Sequence, residues 1–323
     1  MDTWWPEVPA SEQEPDIDAS PLFAEELPAS HRSGFVALVG KPNVGKSTLL
    51  NRWMGVKVAA VTSKPQTTRT RLLGILTRND AQVIFVDTPG VHRPRTALGD
   101  YMVAAAESAV PDADIVLFMV DLSSPPDAND RHVAELVARF VNVPAILVMN
   151  KRDLVSGELL DGREAAYRAL GQFSREVTIS AEEGLGTDEL LSQVIGYLPE
   201  GPRFYPPDQL TDQSERFVAA ELIREQVLLN LRHEVPHAVA VIVSEFAQRP
   251  NGMLFIAAGI YTEQDSQKGI VIGARGEMLK RIGSGARVAL EAFFEQKVYL
   301  DLWVKVRKNW RSNEKYLREL GYR

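Results

Sequence analysis

The sequence predicts an α/β chain of two units: a doubly wound sheet domain followed by a smaller α+β domain. Three observations carry this. From residue 35 to residue 197, short apolar runs alternate with helical patterns, as in strands covered on both faces by helices. Residues 40–47 read GKPNVGKS, set between an apolar run and a helical pattern. Beyond a proline-rich stretch, the patterns follow the order α-β-β-α-α-β, with a Gly-x-x-Gly between the last two helical segments.

The first strand is expected at Phe35–Val39 (FVALV), and the first helix begins at Thr48–Trp53. Between them, Gly40, Gly45, Lys46 and Ser47 occupy the fixed places of G-x-x-x-x-G-K-[ST]. Glycines let backbone N–H groups of residues such as Asn43, Val44 and Thr48 approach a polyphosphate, and the helix N-terminus adds partial positive charge. Lys46 is then placed for the outer phosphates and Ser47 for Mg²⁺. The loop 64–71 (KPQTTRTR) precedes the second strand, Leu72–Thr77. Thr68 is the candidate second Mg²⁺ ligand, with Thr67 as the alternative.

The third strand, Gln82–Asp87, ends in DTPG. Asp87 therefore emerges beside the phosphate loop as a Mg²⁺-supporting carboxylate, and Gly90 is placed to sense a γ-phosphate. Strands at Ile115–Asp121, Ala145–Asn150 and Glu176–Ser180 follow, with helical patterns at Leu98–Ser108, Ala128–Phe140 and Gly162–Leu170. Residues 150–153 read NKRD. The Asp153 carboxylate suits the paired N–H donors of guanine; adenine lacks that pair and would leave the carboxylate unmatched. Asn150 completes the motif, the Lys151 stem covers the base, and Ser180-Ala181 supplies a backbone N–H for the guanine carbonyl.

Residues 199–213 read as a linker, and the second domain spans 214–323 after a first domain at 33–198. A helix is expected at Ser214–Glu234, strands at Ala238–Glu245 and Met253–Tyr261, two helical segments within Gly269–Gln296, and a last strand at Val298–Val306. Gly273-Ala274-Arg275-Gly276 lies between the helical segments. In that order of elements it is the signature of a KH domain of the second topology, whose groove clamps about four single-stranded nucleotides. Ile270 and Ile272 are expected to line the groove, and Arg275, Lys280 and Arg281 to contact phosphates. A second basic cluster, Lys305, Arg307, Lys308 and Arg311, is interleaved with Trp303 and Trp310. It reads equally as more RNA surface or as a solvated edge strand with two core tryptophans.

GKPNVGKS, QTTR, DTPG, NKRD and SA stand in the order of a Ras-like P-loop GTPase. The forms KPNVGKS and KPQTTR resemble the Era family of bacterial GTPases. The resemblance continues through residues 205–237 (YPPDQLTDQSERFVAAELIREQVLLNLRHEVPH), residues 300–311 (LDLWVKVRKNWR) and the ending LGYR, so it covers residues 34–323. It implies a GTP-hydrolysing switch that binds GTP and GDP, acts as a monomer, binds 16S ribosomal RNA near its 3′ end and assists assembly of the 30S subunit. One departure from the Ras pattern is Val91, which follows DTPG where a glutamine would orient the attacking water. Similar GTPases with a hydrophobic residue there and an asparagine in the phosphate loop use K⁺, so Asn43 is the expected K⁺ ligand. An assembly chaperone whose nucleotide is mainly structural remains the alternative.

Composition bounds the rest. The 323 residues carry a formal net charge of −7, unevenly spread. Residues 1–32 hold eight acidic groups against Arg32 and read as a disordered acidic extension. From Lys268 onward, thirteen Lys and Arg face six Asp and Glu, a net of +7, so an anionic partner is expected there. The absence of cysteine excludes disulfides and thiolate metal sites. No apolar run approaches the roughly 20 residues of a membrane span. A cytoplasmic protein is expected, with peripheral contact at the inner face of the cell membrane through basic residues left open.

Overall fold

A computed structural model describes residues 27–64, 66–91, 96–139 and 143–322. The acidic extension expected at residues 1–32 lies outside them up to residue 26. Its last residues belong to the fold: His31 is buried, and Arg32 opens the first strand.

In the first domain the strands are β1 (Arg32–Val39), β2 (Leu72–Thr77), β3 (Ala81–Asp87), β4 (Ile115–Asp121), β5 (Ala145–Asn150) and β6 (Arg175–Thr178). The helices are α1 (Lys46–Met54), α2 (Ala97–Glu107), α3 (Ala128–Ala138), α4 (Gly157–Arg168) and α5 (Thr187–Tyr197). The sheet runs β2-β3-β1-β4-β5-β6. Every pairing is parallel except β2 with β3, which is antiparallel. β1, β3 and β4 are almost wholly buried, as their apolar runs require. The connection from β1 leads to one side and the connection from β3 to the other, so a crevice opens at the carboxyl end of β1, where ligands bind in such sheets.

The linker is strapped to this domain rather than free. The Gln82 side chain accepts from the N–H groups of Phe204 and Tyr205 at 2.7 and 2.9 Å and donates to the Tyr205 carbonyl at 2.8 Å. The Ile75 N–H on edge strand β2 donates to the Leu210 carbonyl at 2.9 Å. The linker thereby covers part of the edge that β2 would otherwise present.

The second domain contains α6 (Glu215–Asn230), β7 (Ala240–Gln248), β8 (Leu254–Thr262), α7 (Asp265–Ile272), α8 (Glu277–Phe294), β9 (Val298–Val306) and α9 (Glu314–Glu319). Its sheet runs β7-β8-β9, with β7 antiparallel and β9 parallel to β8. Ile282, Ala286 and Leu290, spaced at i, i+4 and i+8 on α8, pack with Leu222 and Val227 of α6 and Ile256 and Ile260 of β8. α6 stops at Asn230, short of the expected Glu234. There Lys64 Nζ, from the first domain, donates to the Leu231 carbonyl at 2.6 Å and also to that of Leu228, taking groups that a further helical turn would use.

A separate apolar cluster joins the domains: Leu98 and Met102 of α2 pack with Trp310, Leu317, Leu320 and Tyr322. The two tryptophans of the basic cluster therefore differ. Trp310 is a fully buried core residue whose Nε1–H donates to the Ala238 carbonyl at 2.9 Å. Trp303 is half-buried, with Lys305 Nζ 5.7 Å from its ring centroid. Arg311 pairs with Glu263 at 2.5 Å and Arg307 with Glu319 at 2.6 Å, so half of that cluster is already neutralised.

Candidate functional site

Residues 40–45 turn from the end of β1 into α1. Gly45 has φ +102°, and a β-carbon there would lie 2.2 Å from the Asn150 amide nitrogen. Only glycine lets this loop close against the end of β5. Lys46 is buried, and its Nζ donates to the carbonyls of Gly40 and Lys41, each at 3.1 Å. Burial lowers its pKa to about 8, opposed by the charge of Asp87.

Three oxygen-bearing side chains meet beside it. Ser47 Oγ donates to Asp87 Oδ2 at 2.6 Å; Thr68 Oγ1 lies 2.9 Å from Ser47 Oγ and 3.4 Å from Asp87 Oδ2. Asp87 is wholly buried, and its Oδ1 has no hydrogen-bond partner among the described residues. Burial pushes its carboxyl upward, against the Lys46 charge and the two hydroxyls. Thr67 points elsewhere: its hydroxyl donates to the Lys64 carbonyl at 2.7 Å and lies 2.7 Å from that of Thr62. Of the two threonines, Thr68 is the one that reaches Ser47 and Asp87.

Lys46, Ser47, Thr67 and Thr68 line a cavity of about 480 Å³ that also includes Asn43, Thr48, Ser63, Gly90, Asp121 and Lys151, while Asp87 lies buried behind Ser47 and Thr68. That size lies in the range of small-ligand sites. Asn43 has φ 65° and donates from Nδ2 to the Ser63 carbonyl at 2.7 Å. Val44 is fully buried, and Val91 lies in the core of the sheet's other face. Lys41 ties the loop to α3 through Asp130 at 2.7 Å and Asp127 at 3.1 Å.

Beneath the phosphate loop, Asn150 bridges two loops. Its Nδ2 donates to the Val44 carbonyl at 2.7 Å, and its Oδ1 accepts from the Ala181 N–H at 2.8 Å. That N–H, expected to meet a guanine carbonyl, is therefore already engaged. Arg52 Nε donates to the Ala181 carbonyl at 2.6 Å. Ser180 and Ala181 are buried; Asp153 is exposed in a 3-10 turn over Arg152–Leu154, and none of the three lines the cavity. Lys151 Nζ donates to Asp121 Oδ2 at 2.5 Å. Burial would raise the Asp121 carboxyl, but hydrogen bonds from Lys151 and Ser123 hold it below its ordinary value.

A second cavity, of about 590 Å³, lies in the C-terminal domain. α7 ends at Gly273, with φ +72°, where a β-carbon would come within 2.7 Å of that of Met278. Ala274 and Arg275 are exposed at the tip. Gly276, Leu279, Lys280, Gly283, Ser284, Arg287, Leu300 and Leu302 line the groove beside it. Ile270 and Ile272 do not. Ile270 is half-exposed on α7, and Ile272 packs against the core, so the apolar wall comes from α8 and β9 instead. Arg281 is exposed and lies outside this lining.

Comparison with known proteins bears on both halves. A family model described as "50S ribosome-binding GTPase" matches residues 35–151, and one described as "KH domain" matches residues 234–311. The chain is 45% identical over 294 residues to GTPase Era of Ruminiclostridium cellulolyticum, covering 91% of this chain and 98% of that protein. The chain belongs to the Era family of GTPases. Era of Staphylococcus haemolyticus is likewise 45% identical, over 292 residues. Among solved structures, an Aquifex aeolicus Era variant bound to GDP·AlF₄⁻ superposes with a TM-score of 0.86 at 39% identity, covering 90% of this chain and 99% of that one. An Era complex with MgGDPNP and nucleotides 1506–1542 of 16S ribosomal RNA matches with the same TM-score, identity and coverage.

Several residues at this Era-family site lie outside the motifs that mark it in the sequence. Asp121 ends a buried strand in the same way as Asp87 and Asn150, so the rule that finds those two finds it as well. Arg287 follows Lys280 at i+7 on α8, a helical spacing that places both on one face. Lys41 and Arg52 carry no such signal, because their partners are distant in sequence.

Proposed function

We propose that this Era-family chain is a GTP-hydrolysing switch that binds 16S ribosomal RNA near its 3′ end and assists small-subunit assembly. The observation that carries the reading is the convergence of Ser47, Thr68 and Asp87 oxygens beside Lys46 at the mouth of the phosphate loop. The donor set fits Mg²⁺, a hard cation usually held by one or two carboxylates together with substrate phosphates. The unpartnered Asp87 Oδ1 is consistent with a cation or its water shell in that place. When bound, Mg²⁺ would neutralise charge on the β- and γ-phosphate oxygens.

The chain's own part is binding and positioning. Lys46 exchanges its two carbonyl acceptors for phosphate oxygens, and the N–H groups of residues 43–48 surround the phosphates. Gly90 approaches the γ-phosphate from the end of β3. Asp153 reads the guanine N–H pair, while Asn150 holds the base-binding loop against the phosphate loop. The Ala181 N–H serves both Asn150 and the guanine carbonyl by shared donation. With Val91 buried after DTPG, no side chain at that position orients water. Asn43 is the residue that would hold K⁺, and the ion would supply positive charge near the phosphates. Identical turnover in KCl and NaCl would sink that part.

Gly273–Gly276 and the groove beside them take single-stranded RNA, with Arg275 at the loop tip and Lys280 and Arg287 on the groove wall meeting phosphates, while Arg281, outside that wall, drops out of the contact set. The GTPase-domain model carries a 50S description, yet the Era complex with 16S RNA favours the small subunit. No helix among the described residues is long and apolar enough to cross a membrane. The proposed setting is the cytoplasm, as a monomer, with the basic C-terminal segment available for peripheral membrane contact. The direct test of the nucleotide half is the affinity of GDP against ADP, together with GTP turnover. Guanine selectivity that disappears in Asp153→Ala supports the reading; equal affinity for GDP and ADP in the parent protein refutes it.

A further inference from the structure

Thr68 faces Ser47 and Asp87, but the residues on either side of it are held by the other domain. The Thr67 carbonyl accepts from the guanidinium of Arg224 on α6. The Arg69 side chain is 1% exposed and enters the C-terminal domain. Its Nη1 donates to the Val239 carbonyl at 2.6 Å and to the Tyr322 hydroxyl at 3.2 Å; its Nη2 donates to the His237 carbonyl at 3.1 Å. The guanidinium carbon lies 5.7 Å from the centroid of the Trp310 ring, which stacks on Tyr322. Earlier in the same loop, the Val61 N–H donates to Glu225 Oε1 at 2.8 Å, and Lys64 donates to the end of α6. Every partner just named lies beyond residue 213.

We infer that Arg69 is a positioning residue for GTP hydrolysis: by anchoring in the C-terminal domain it fixes the adjacent Thr68 hydroxyl at the magnesium site, so that the site is complete only when the domains are docked. This rests on the reading of Thr68 as a Mg²⁺ ligand. Hydrogen bonds among Thr62, Lys64 and Thr67 shape the loop from within, and the buried Arg69 guanidinium, with four oxygen acceptors, fixes the segment next to Thr68 against the other domain. Because domain docking and Thr68 placement share one segment, each favours the other, and the coupling is reciprocal. A diphosphate lacks the γ-phosphate that such loops close upon, so Arg69 bears on triphosphate binding.

The test uses the full chain and equilibrium binding of fluorescent GDP and a fluorescent non-hydrolysable GTP analogue, with Mg²⁺ titrated. Arg69→Ala is expected to weaken the analogue at least tenfold and to raise the Mg²⁺ needed for half-saturation. GDP affinity should stay within twofold. Arg69→Lys should fall between, since an ammonium cannot span the same acceptors. Tyr322→Phe, which keeps the stacked ring, should show a smaller selective loss in the same direction, and it serves if Arg69→Ala does not fold. Equal losses for both nucleotides, or no loss, in these variants overturn the inference. Thr68→Ala separates it from its premise. If Thr68→Ala loses analogue affinity while Arg69→Ala does not, the inference alone falls. If Thr68→Ala binds like the parent, the magnesium reading falls and takes the inference with it.

Discussion

Replacing Asn150 by alanine tests whether the two halves of the nucleotide cavity are held together by one side chain. Asn150 is 2% exposed and satisfies two backbone groups, the Val44 carbonyl at 2.7 Å and the Ala181 N–H at 2.8 Å. Alanine leaves both without that partner. A buried group left unsatisfied costs roughly 1–3 kcal/mol, so the pair costs about 2–6 kcal/mol, toward the low end if water enters. Taking about 3 kcal/mol, the midpoint of thermal unfolding without nucleotide should fall by roughly 6–12 °C for a domain of this size. The phosphate loop and the loop at Ala181 also lose their common reference, so GDP affinity should fall at least tenfold. A control on the same strand, Val148→Ala, removes buried volume without touching either bond. It should lower the midpoint while GDP affinity stays within about twofold of the parent. Calorimetric titration and a melting curve read both quantities. A melting midpoint and GDP affinity in Asn150→Ala equal to those of the parent would refute the bridging argument.

Other outcomes follow from the same geometry. Burial holds Lys46 at about 8, below its ordinary 10.5, so between those values the unfolded chain binds a proton that the folded chain lacks, and the stability contributed by this group rises with pH there. Phosphate restores the charged form; GDP affinity measured from pH 7 to pH 9 should therefore fall above pH 8, by at most tenfold per unit, and a flat profile would show that Lys46 does not titrate there. Lys280→Ala combined with Arg287→Ala on the groove should weaken single-stranded RNA binding and flatten its log–log salt slope by about 1.4, at about 0.7 per lost phosphate contact; an unchanged slope would place the RNA elsewhere. Trp310→Ala should cost about 3–5 kcal/mol in unfolding experiments, since the ring is fully buried between α2 and the C-terminal segment. A loss under 1 kcal/mol would mean that the interdomain cluster does not depend on it.

The parts of the molecule legible in the sequence were those whose signal is local. GKPNVGKS, DTPG and NKRD each follow a buried strand, so their side chains had to emerge at one edge of the sheet, and the structure brings Lys46, Ser47, Asp87 and Asn150 together there. The choice between Thr67 and Thr68 needed coordinates, because adjacent residues carry the same chemistry and only backbone direction separates them. Helix α5 lies outside the helical patterns expected from the sequence although Leu190, Leu191 and Val194 carry its period; its N-cap, Gly186, has no side chain to mark the start. The antiparallel β2 is invisible to an alternation argument, which reads element type and not direction. The sequence places Ile270 and Ile272 of α7 along the groove beside the Gly-x-x-Gly, whereas its apolar wall includes Leu300 and Leu302 of β9, more than 20 residues later. The interdomain grip on Arg69, Lys64 and Val61 joins segments more than 150 residues apart. No pattern within a window reaches that far.

The measurement that bears most directly on the central claim is fluorescence anisotropy of a labelled oligonucleotide from the 3′ end of 16S ribosomal RNA. It would be titrated with the full chain at fixed salt, once with GDP and once with a non-hydrolysable GTP analogue, against a scrambled RNA. A nucleotide-gated RNA switch predicts tighter binding with the analogue, and for the native sequence only. Equal affinity in both nucleotide states, or equal affinity for the scrambled RNA, would contradict it.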